Sequence, residues 1–323
     1  MKAVVLKSYG GLDALEVRDV PPPTPKAGQV LVRVHAASVN DWDWEMVRGQ
    51  SLVVRLLHGL FRPKVPVIGC DIAGRVAALG EGVKAFRVGD EVYGDLCMQG
   101  FGAFAHYACA SEAGLAHKPA GMTFEQAAAI PQAGMLAVQG LIDVGQIRPR
   151  QRVLLNGAGG GVGTFALQIA KNLYDAEVTA VDRADKLDML RALGADHVVD
   201  FRREDFTRSG RSYDLILDVK TDRAPWAYAR ALSPQGTYAT VGGHIPRLLQ
   251  TAIGGWLMSR WSTRRLRVVG LKPNKDLAYV NQLFEAGQLR PIIDRPYTLA
   301  NIADAFRRFG AADHQGKIVI TIG

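Results

Sequence analysis

The sequence predicts an α/β protein in which a doubly wound parallel sheet is inserted into a smaller domain built on an irregular β-barrel. The first part of the chain has short apolar runs between frequent turn residues, whereas strands and helices alternate from Val153 onward. Alternation of this kind is typical of a parallel sheet covered on both faces. At 323 residues, the chain also exceeds the length of about 250–300 residues at which one hydrophobic core stops growing. We therefore expect two domains.

We predict that residues 1–122 form the first part of the barrel domain, that residues 123–272 form the sheet domain, and that residues 273–323 return to the barrel. Turn residues recur every several positions in this part of the chain, and the short apolar runs between them, such as 30–34 and 73–79, are typical of the strands of an irregular barrel. The helical zone that opens the second domain begins with a capping box, in which Thr123 precedes Gln126 by three positions.

The second domain shows repeated strand–helix units. The apolar runs predict six strands, at 153–156, 177–181, 197–200, 213–219, 236–242 and 266–271. Amphipathic spacing predicts helices near 161–173, 185–193 and 225–232. In the tail we predict helices at 276–286 and 299–309 and a closing strand at 316–320.

A glycine-rich loop follows the first of these six strands directly. Its glycines, Gly157, Gly160 and Gly163, have the spacing G-x-x-G-x-x-G and lead into a helix. Such a loop brings bare backbone N–H groups and a helix N-terminus against a pyrophosphate. Asp182 follows the second strand about 20 positions later, where an acidic residue meets the adenosine ribose in dinucleotide-binding folds. The context favours a dinucleotide site over an ordinary strand-to-helix turn.

The residues around this loop leave the choice of dinucleotide open. The candidate contacts are Gly157, Gly160, Gly161, Val162, Gly163, Asp182, Arg183 and Lys186. A carboxylate at Asp182 accepts hydrogen bonds from ribose hydroxyls and repels a 2′-phosphate, which favours NAD(H). Arg183 and Lys186 would instead pair with the phosphate of NADP(H) if Asp182 pointed away. We lean slightly toward NAD(H) and keep NADP(H) open.

Composition excludes several classes of protein. The apolar content of 48% and charged content of 22% are those of a soluble globular protein, and three cysteines make no disulfide framework. The net charge of +8 is partly local, and no basic segment interleaved with aromatic residues suggests nucleic-acid binding. No run of about 20 apolar residues suggests a membrane span. We expect a cytoplasmic protein that binds no nucleic acid.

One segment of the second domain is both apolar and basic. Residues 248–261 contain two tryptophans and no acid, and arginines surround them. This composition is compatible with contact at a membrane surface, yet subunit interfaces also favour tryptophan, methionine and arginine. We interpret the segment as a loop that serves as a lid or a subunit contact, in preference to a membrane contact.

Several local motifs resemble one known family. They are Ala37-Ser38-Val39-Asn40, Gly69-Cys70-Asp71-Ile72-Ala73-Gly74, Val88-Gly89-Asp90-Glu91-Val92, the glycine loop, Leu193-Gly194-Ala195-Asp196 and Gly316-Lys317-Ile318-Val319. Over essentially the whole chain the sequence resembles the medium-chain dehydrogenase/reductase superfamily. It is similar in particular to the zinc-free quinone oxidoreductase branch, including the mitochondrial reticulon-interacting oxidoreductases and their bacterial relatives.

The resemblance implies a Rossmann domain inserted into a GroES-like domain, and members of this branch mostly use NADP(H) and are often dimers. It also implies that Gly242, Gly243, Leu271 and Lys272 pass near the nicotinamide and its ribose. For Gly242 and Gly243, a simple strand-to-loop turn is an equally good interpretation from the sequence alone.

The resemblance also bears on zinc. Zinc-dependent members hold their catalytic ion with Cys, His and Cys, and the matching positions here are Asn40, Cys70 and the segment 131–134. An amide is a poor zinc ligand, and three cysteines cannot build the additional four-cysteine lobe. We expect no metal. Without a Lewis acid, we expect reduction of a polarised double bond in place of alcohol oxidation.

Two residues are the candidates for catalysis. By resemblance, Asn40 and Asp43 lie in the segment that lines the substrate side of the cleft. The Asn40 amide suits a carbonyl oxygen that gains charge during reduction. For Asp43 we favour a salt bridge with Arg48 that fixes this loop. No Ser/His/Asp or Cys/His constellation is present, so we expect the proton to come from water or a bound hydroxyl group.

The sequence thus predicts an NAD(P)H-dependent oxidoreductase that reduces quinones or α,β-unsaturated carbonyl compounds by hydride transfer. Enoyl-thioester reduction is the nearest alternative because only the acceptor pocket differs. A redox sensor or scaffold that binds the cofactor with little turnover is the alternative from another class. The expected partners are a small apolar carbonyl or quinone substrate and a second copy of the chain.

Overall fold

The computed structural model describes residues 1–243 and 245–323, which form two compact units. The first unit comprises Met1–Gln132, Pro273–Glu285 and Ile293–Gly323, and the second comprises Ala133–Lys272 and Ala286–Ile292. The boundaries expected from sequence lie at 122/123 and 272/273. The helix Phe124–Ala128 therefore belongs to the first unit, and the tail segment Ala286–Ile292 belongs to the second.

The strands are numbered along the chain. They are β1 Lys2–Leu6, β2 Leu15–Asp19, β3 Gln29–Ser38, β4 Asp71–Leu79, β5 Glu91–Asp95, β6 Tyr107–Ser111, β7 Ala116–His117, β8 Arg152–Asn156, β9 Glu177–Asp182, β10 His197–Asp200, β11 Tyr213–Asp218, β12 Leu232–Val241, β13 Arg265–Val269, β14 Ile293–Thr298 and β15 Lys317–Thr321.

The helices are numbered in the same way. They are α1 Asp41–Arg48, α2 Leu52–His58, α3 Phe124–Ala128, α4 Pro131–Val138, α5 Gly161–Tyr174, α6 Leu187–Ala192, α7 Pro225–Arg230, α8 Ile245–Met258, α9 Leu277–Glu285 and α10 Ile302–Gly310. None of the helices in the described ranges is long and apolar enough to cross a bilayer.

The first unit is built on a mixed sheet. Its strand order is β14-β15-β3-β4-β5-β7, and β6 also pairs with β3, while β1 and β2 pair separately. Apolar side chains alternate along β3 and fill the core together with residues of β4 and α10, for example Val32, Val34, Ile72 and Phe306. Strand β15 pairs with β3, so the tail of the chain returns to this unit.

The second unit is a doubly wound sheet of six parallel strands. Their order is β10-β9-β8-β11-β12-β13, the Rossmann order 3-2-1-4-5-6 when the strands are counted within the unit. All six strands predicted for this domain are confirmed. The order reverses between β8 and β11, and ligands bind outside the carboxyl ends of the strands at such a point.

Local signals account for most of the helices. The predicted capping box at Thr123 and Gln126 is confirmed at the start of α3. The interpretation of 248–261 as a loop was wrong, because α8 runs from Ile245 to Met258. Glycine pairs are typical of loops, but Gly255 lies so close to Leu266 that a Cβ would meet the Leu266 carbonyl oxygen. Glycine here permits close packing of a helix on β13.

Candidate functional site

The glycine loop lies between β8 and α5, at the point where the strand order reverses. Gly157 has φ +80°, a left-handed conformation that glycine adopts without strain. Gly163 lies against the loop backbone, since a Cβ there would come within 2.5 Å of Ala158 and of the Gly157 carbonyl oxygen. Close packing at Gly163 sets the N-terminus of α5 directly beside the end of β8.

Gly160 differs from Gly157, Gly159 and Gly163 because none of the described residues lies close enough to require glycine at this position. Its backbone is extended, with φ −88° and ψ −178°, and the nearest atom to a Cβ would be the Gly157 carbonyl oxygen at 3.7 Å. The space left by the missing side chain therefore opens at the N-cap of α5. Exposed N–H groups at such a helix end suit a phosphate.

Asp182 ends β9 beside this loop and is 3% exposed. Its Oδ2 accepts a hydrogen bond from the Gly159 N–H at 2.8 Å, and its Oδ1 accepts one from the Arg183 N–H at 2.8 Å. The Lys186 Nζ lies 3.9 Å from Oδ1. In this arrangement both carboxylate oxygens hold backbone, and the Lys186 side chain covers Gly159, where a Cβ would come within 2.6 Å of the Lys186 Cδ.

Three cationic side chains surround the loop. Burial lowers the pKa of Lys186, and the nearby charges of Lys220 and Arg183 lower it further. The carboxylate of Asp182 acts in the opposite direction and raises this pKa. Lys220 follows β11, and its Cγ would lie 3.0 Å from a Cβ on Gly157. Arg183 forms two hydrogen bonds to Asp185, at 3.0 and 2.9 Å. Arg183 and Lys186 follow β9 and Lys220 follows β11, so cationic side chains follow both strands that flank β8.

The remaining candidates for cofactor contact follow β12 and β13, on the same edge of the sheet. The Gly242 carbonyl oxygen accepts a hydrogen bond from Thr221 Oγ1 at 3.0 Å, and Gly243 lies so close to Thr221 that a Cβ would clash with its side chain. The Lys272 backbone exchanges two hydrogen bonds of 2.9 Å with the Gln139 amide, which positions the loop containing Leu271.

In the first unit, Asn40 lies at the N-terminus of α1 and is 5% exposed. Its Oδ1 accepts a hydrogen bond from Lys317 Nζ at 2.5 Å. An ammonium only donates, so this contact fixes which end of the amide is oxygen. The Asn40 Nδ2 has no hydrogen-bond partner among the described residues. The result is a buried, oriented N–H donor that makes no hydrogen bond of normal geometry, although the Asn40 side chain lies close enough to Asp71 to lower the pKa of that carboxyl.

Asp43 lies one turn into α1 and is 0% exposed. Its Oδ2 accepts a hydrogen bond from the Asn40 N–H at 3.0 Å, and its Oδ1 has no partner within the described part of the chain. Burial, reinforced by the nearby Asp71, raises the pKa of the Asp43 carboxyl to about 8, although contact with Cys70 opposes this. The carboxyl is therefore protonated at neutral pH.

The expected salt bridge between Asp43 and Arg48 was wrong. Arg48 pairs with Glu45, one turn earlier on the same face of α1. Residues separated by five positions do not share a helix face, whereas residues three apart do.

Trp44 stacks on Phe306, and both Trp42 and Trp44 pack partly buried against the core of the first unit.

Lys317 organises the rest of this network and was not recognised in the sequence as a site residue. Its Nζ, on a side chain that is 5% exposed, donates to the Val39 carbonyl oxygen at 3.1 Å and lies 3.5 Å from Asp71 Oδ2. Asp71 Oδ2 also accepts a hydrogen bond from Ser38 Oγ at 2.9 Å, and its Oδ1 accepts one from the Gln132 N–H at 3.2 Å. The only sequence signal was the position of Lys317 in the Gly316-Lys317 motif.

The positions that match zinc ligands form part of this network, and their donors suit a zinc ion poorly. Asn40 already binds the Lys317 ammonium, and burial raises the pKa of the Cys70 thiol well above its usual range, which disfavours the thiolate. Gln132 offers only amide groups. Within residues 1–243 and 245–323, no three His, Cys, Asp or Glu side chains are grouped to hold a metal ion.

Two family models match the chain. Residues 26–120 match the alcohol dehydrogenase GroES-like domain, and residues 193–320 match a model described as zinc-binding dehydrogenase. The second description names zinc, although the donors described above differ from a zinc set.

Individual proteins match over nearly the full length. The chain is 30% identical to a chloroplastic quinone oxidoreductase of Triphysaria versicolor over 99% of this chain and 98% of that protein. It is 31% identical to a chloroplastic NADPH-dependent alkenal/one oxidoreductase of Arabidopsis thaliana, over 99% of this chain and 79% of that protein. The solved structure of a quinone oxidoreductase from Coxiella burnetii matches with a TM-score of 0.88 at 26% identity, covering 100% of this chain and 99% of that one.

Proposed function

The chain belongs to the medium-chain dehydrogenase/reductase superfamily, in its quinone oxidoreductase branch, and on that premise we propose that this oxidoreductase transfers a hydride from NADPH to quinones or α,β-unsaturated carbonyl compounds. The observation that supports this most directly is the Asn40 amide, a buried and oriented donor that makes no hydrogen bond of normal geometry. The names of the Triphysaria and Arabidopsis relatives support the two classes of acceptor. When bound, the reduced nicotinamide supplies the hydride.

For the cofactor, we propose that the pyrophosphate lies on the N-terminus of α5. The open space at Gly160 and the N–H groups of Gly161 and Val162 support this placement. The loops at Gly242–Gly243 and Leu271–Lys272 follow neighbouring strands on the same edge of the sheet. We assign them to the nicotinamide and its ribose, as the family resemblance implies.

We propose that NADPH is preferred over NADH, which departs from the expectation based on Asp182 alone. Both oxygens of that carboxylate accept backbone N–H groups, and Lys186 covers it. Lys186 is 1% exposed, and its ammonium lies beside Asp182 with the charges of Lys220 and Arg183 acting on it. Turned outward, its ammonium would meet a 2′-phosphate together with Arg183 and Lys220.

Replacement of Lys186 by methionine tests this preference. We expect the KM for NADPH to rise about 10- to 100-fold while the KM for NADH changes little, because a charged hydrogen bond to phosphate contributes about 1.5–3 kcal/mol. Steady-state kinetics with each cofactor measures both values. Lys171→Met, which removes a lysine paired with Asp196 on the same unit, is the control and should change neither. A wild type that prefers NADH, or an equal effect on both cofactors, contradicts the proposal.

We propose that catalysis needs no zinc. The support is the donor set, in which an ammonium already binds the Asn40 oxygen and Cys70 favours the thiol. In the reaction, the Asn40 Nδ2 would donate its hydrogen bond to the acceptor's carbonyl oxygen as negative charge develops there. Asp43 is our proposed proton donor, in place of the water or hydroxyl group expected from the sequence, because burial raises its pKa to about 8 and so favours the protonated carboxyl at neutral pH.

This role for Asp43 predicts a pH dependence. The group acts only when protonated, so kcat should fall as pH rises through about 8, by about tenfold per pH unit above that value. Asp43→Asn should have a low kcat with no such fall. A pH–rate profile at saturating substrate measures this, and Asp19→Asn, which removes an exposed carboxylate, should keep the wild-type profile. A wild-type kcat that stays flat into alkaline pH would exclude Asp43 as the donor.

The raised pKa of the Asp43 carboxyl also affects the free energy of unfolding. The unfolded carboxyl ionises near 3.8, whereas the folded one keeps its proton to about 8. The unfolded state therefore binds fewer protons between these values, so the free energy of unfolding should fall as pH rises across this window.

A panel of acceptors separates the proposed function from its alternatives. NADPH oxidation with quinones and enones supports the proposal, whereas turnover confined to enoyl thioesters would identify an enoyl-thioester reductase. Tight NADPH binding without turnover on any acceptor would identify a sensor or scaffold.

We further propose a reducing compartment such as the cytoplasm, and a homodimer. Among the described residues the three cysteines are free thiols, as a reducing compartment favours. Strand β13 ends the six-stranded sheet, and its outer edge offers main-chain groups for pairing with a second copy.

A further inference from the structure

Two surfaces of this chain expose large apolar side chains in continuous groups. The α8 surface, in the second unit, consists of Ile245, Leu249, Ile253, Trp256, Leu257 and Trp261, which are between 40% and 76% exposed. The α2 surface, in the first unit, consists of Leu52, Val53, Leu56, Leu57, Leu60 and Phe61, which are between 44% and 86% exposed. Contiguous groups of this kind mark sites of interaction with a protein or a membrane.

Helix α8 has the inverse of the usual amphipathic arrangement. A surface helix normally buries its large apolar side chains against the protein. In α8 the buried residue is Thr251, and Gly255 packs closely on β13. The large side chains recur at helical spacing on the opposite face, at Leu249, Ile253 and Trp256. Because the protein does not cover this face, its apolar groups need an external partner.

The charged residues within the two segments that form these surfaces have one sign. Residues 245–267 contain five arginines and no acid, and residues 49–64 contain Arg55, Arg62 and Lys64 and no acid. The Arg260 guanidinium lies 3.6 Å from the centre of the Trp256 ring. Interfacial helices combine these features, with tryptophan and aliphatic side chains on one face and arginine beside them.

We propose that the α8 surface and the α2 surface, each taken by itself, bind the surface of an anionic lipid bilayer, with their apolar side chains inserted at the level of the headgroups. A second copy of the chain fits less well, because a symmetric contact would bring arginines against arginines with no acid in either segment to pair with them. An anionic bilayer supplies both the apolar phase and the opposite charge. This reverses our sequence-based preference for a lid or subunit contact, and it is independent of the proposed reaction.

Sedimentation with vesicles tests the proposal on the full chain. Wild type should bind vesicles of equimolar phosphatidylcholine and phosphatidylglycerol at low salt. It should bind phosphatidylcholine vesicles weakly and lose binding at high salt. Trp256→Ser/Trp261→Ser and Leu57→Ser/Phe61→Ser should each lower the partition coefficient by about tenfold or more. The matched controls Phe201→Ser in the second unit and Val88→Ser in the first remove exposed apolar side chains elsewhere and should bind as wild type does.

Charge is tested separately from apolar insertion. Arg260→Gln/Arg264→Gln should weaken vesicle binding, whereas Arg191→Gln/Arg203→Gln changes net charge equally at exposed sites elsewhere on the same unit and should not. Trp256→Phe/Trp261→Phe keeps the apolar mass, so it should bind vesicles but lose most of the blue shift in tryptophan emission.

Three results would overturn the proposal. One is the absence of wild-type binding to anionic vesicles at low salt. Another is an equal loss of vesicle binding in the variants of the α8 and α2 surfaces and in their controls. The third is a combination of two observations: wild type does not bind vesicles, and Trp256→Ser/Trp261→Ser has a smaller sedimentation coefficient than wild type. The α8 surface would then be a contact between copies of the chain.

Discussion

Replacement of Asn40 by alanine is expected to lower kcat for enone or quinone reduction by about 100- to 1000-fold while the KM for NADPH stays near its wild-type value. The amide is the buried donor that Lys317 orients, and its Nδ2 makes no hydrogen bond of normal geometry among the described residues. Removing one donor to a developing oxyanion costs about 2.7–4 kcal/mol of transition-state stabilisation. Steady-state kinetics, with thermal unfolding to confirm the fold, measures the effect.

Asn40→Asp is the sharper variant. It keeps an oxygen for the Lys317 ammonium and replaces the N–H donor by a carboxyl that donates only when it is protonated, so kcat should be lower than in wild type, with the largest loss at the highest pH. If Asn40→Asp keeps wild-type kcat across the pH range, the amide donates nothing to the reaction and Asn40 has a structural role only.

Replacement of Lys317 by methionine is expected to lower the free energy of unfolding by about 3–5 kcal/mol, the usual effect of removing one partner from a buried ion pair. The ammonium lies 3.5 Å from Asp71 Oδ2, on a carboxylate that is 0% exposed. Burial already raises the pKa of Asp71 against the lowering effect of Lys317. In the variant this pKa should rise further, so the folded state holds the proton more tightly and the loss of stability should grow as pH rises.

Two further variants serve as comparisons for Lys317→Met. Lys2→Met removes an exposed lysine from its pair with Asp19 and should cost less than about 1 kcal/mol. Lys317→Met/Asp71→Asn should recover much of the stability, since no buried charge is left unpaired, but kcat should stay low because the Asn40 amide is no longer held. Chemical denaturation at several pH values measures all three. A loss in Lys317→Met no larger than in Lys2→Met contradicts the account.

The second unit was largely predictable because its signals are local. Apolar runs marked all six strands, and the loop from Gly157 to Gly163 identified the first βα turn. Asp182 was correctly expected at the end of a strand. What its carboxylate binds depends on the Gly159 N–H, which lies 23 positions earlier in the chain, and spacing alone gives no information about that contact.

The network in the first unit could be predicted only in part. The sequence pointed to Asn40 and Asp43, but the side chain that orients Asn40 is 277 positions away. Such a contact depends on β15 pairing with β3, and no local pattern specifies it. Helix α8 also depends on a contact that no local pattern specifies. Glycines within a segment favour a loop, and only the packing of Leu266 against them explains why they lie in a helix.

The central claim is hydride transfer to a polarised double bond, and transfer of label from NADPH tests it most directly. With NADPH deuterated at the transferable position of nicotinamide C4 and an enone as acceptor, mass spectrometry of the product locates the deuterium. We expect a saturated ketone with deuterium at the carbon β to the carbonyl, and loss of this product in Asn40→Ala. An allylic alcohol with deuterium at the former carbonyl carbon, or no labelled product despite NADPH binding, would contradict the account.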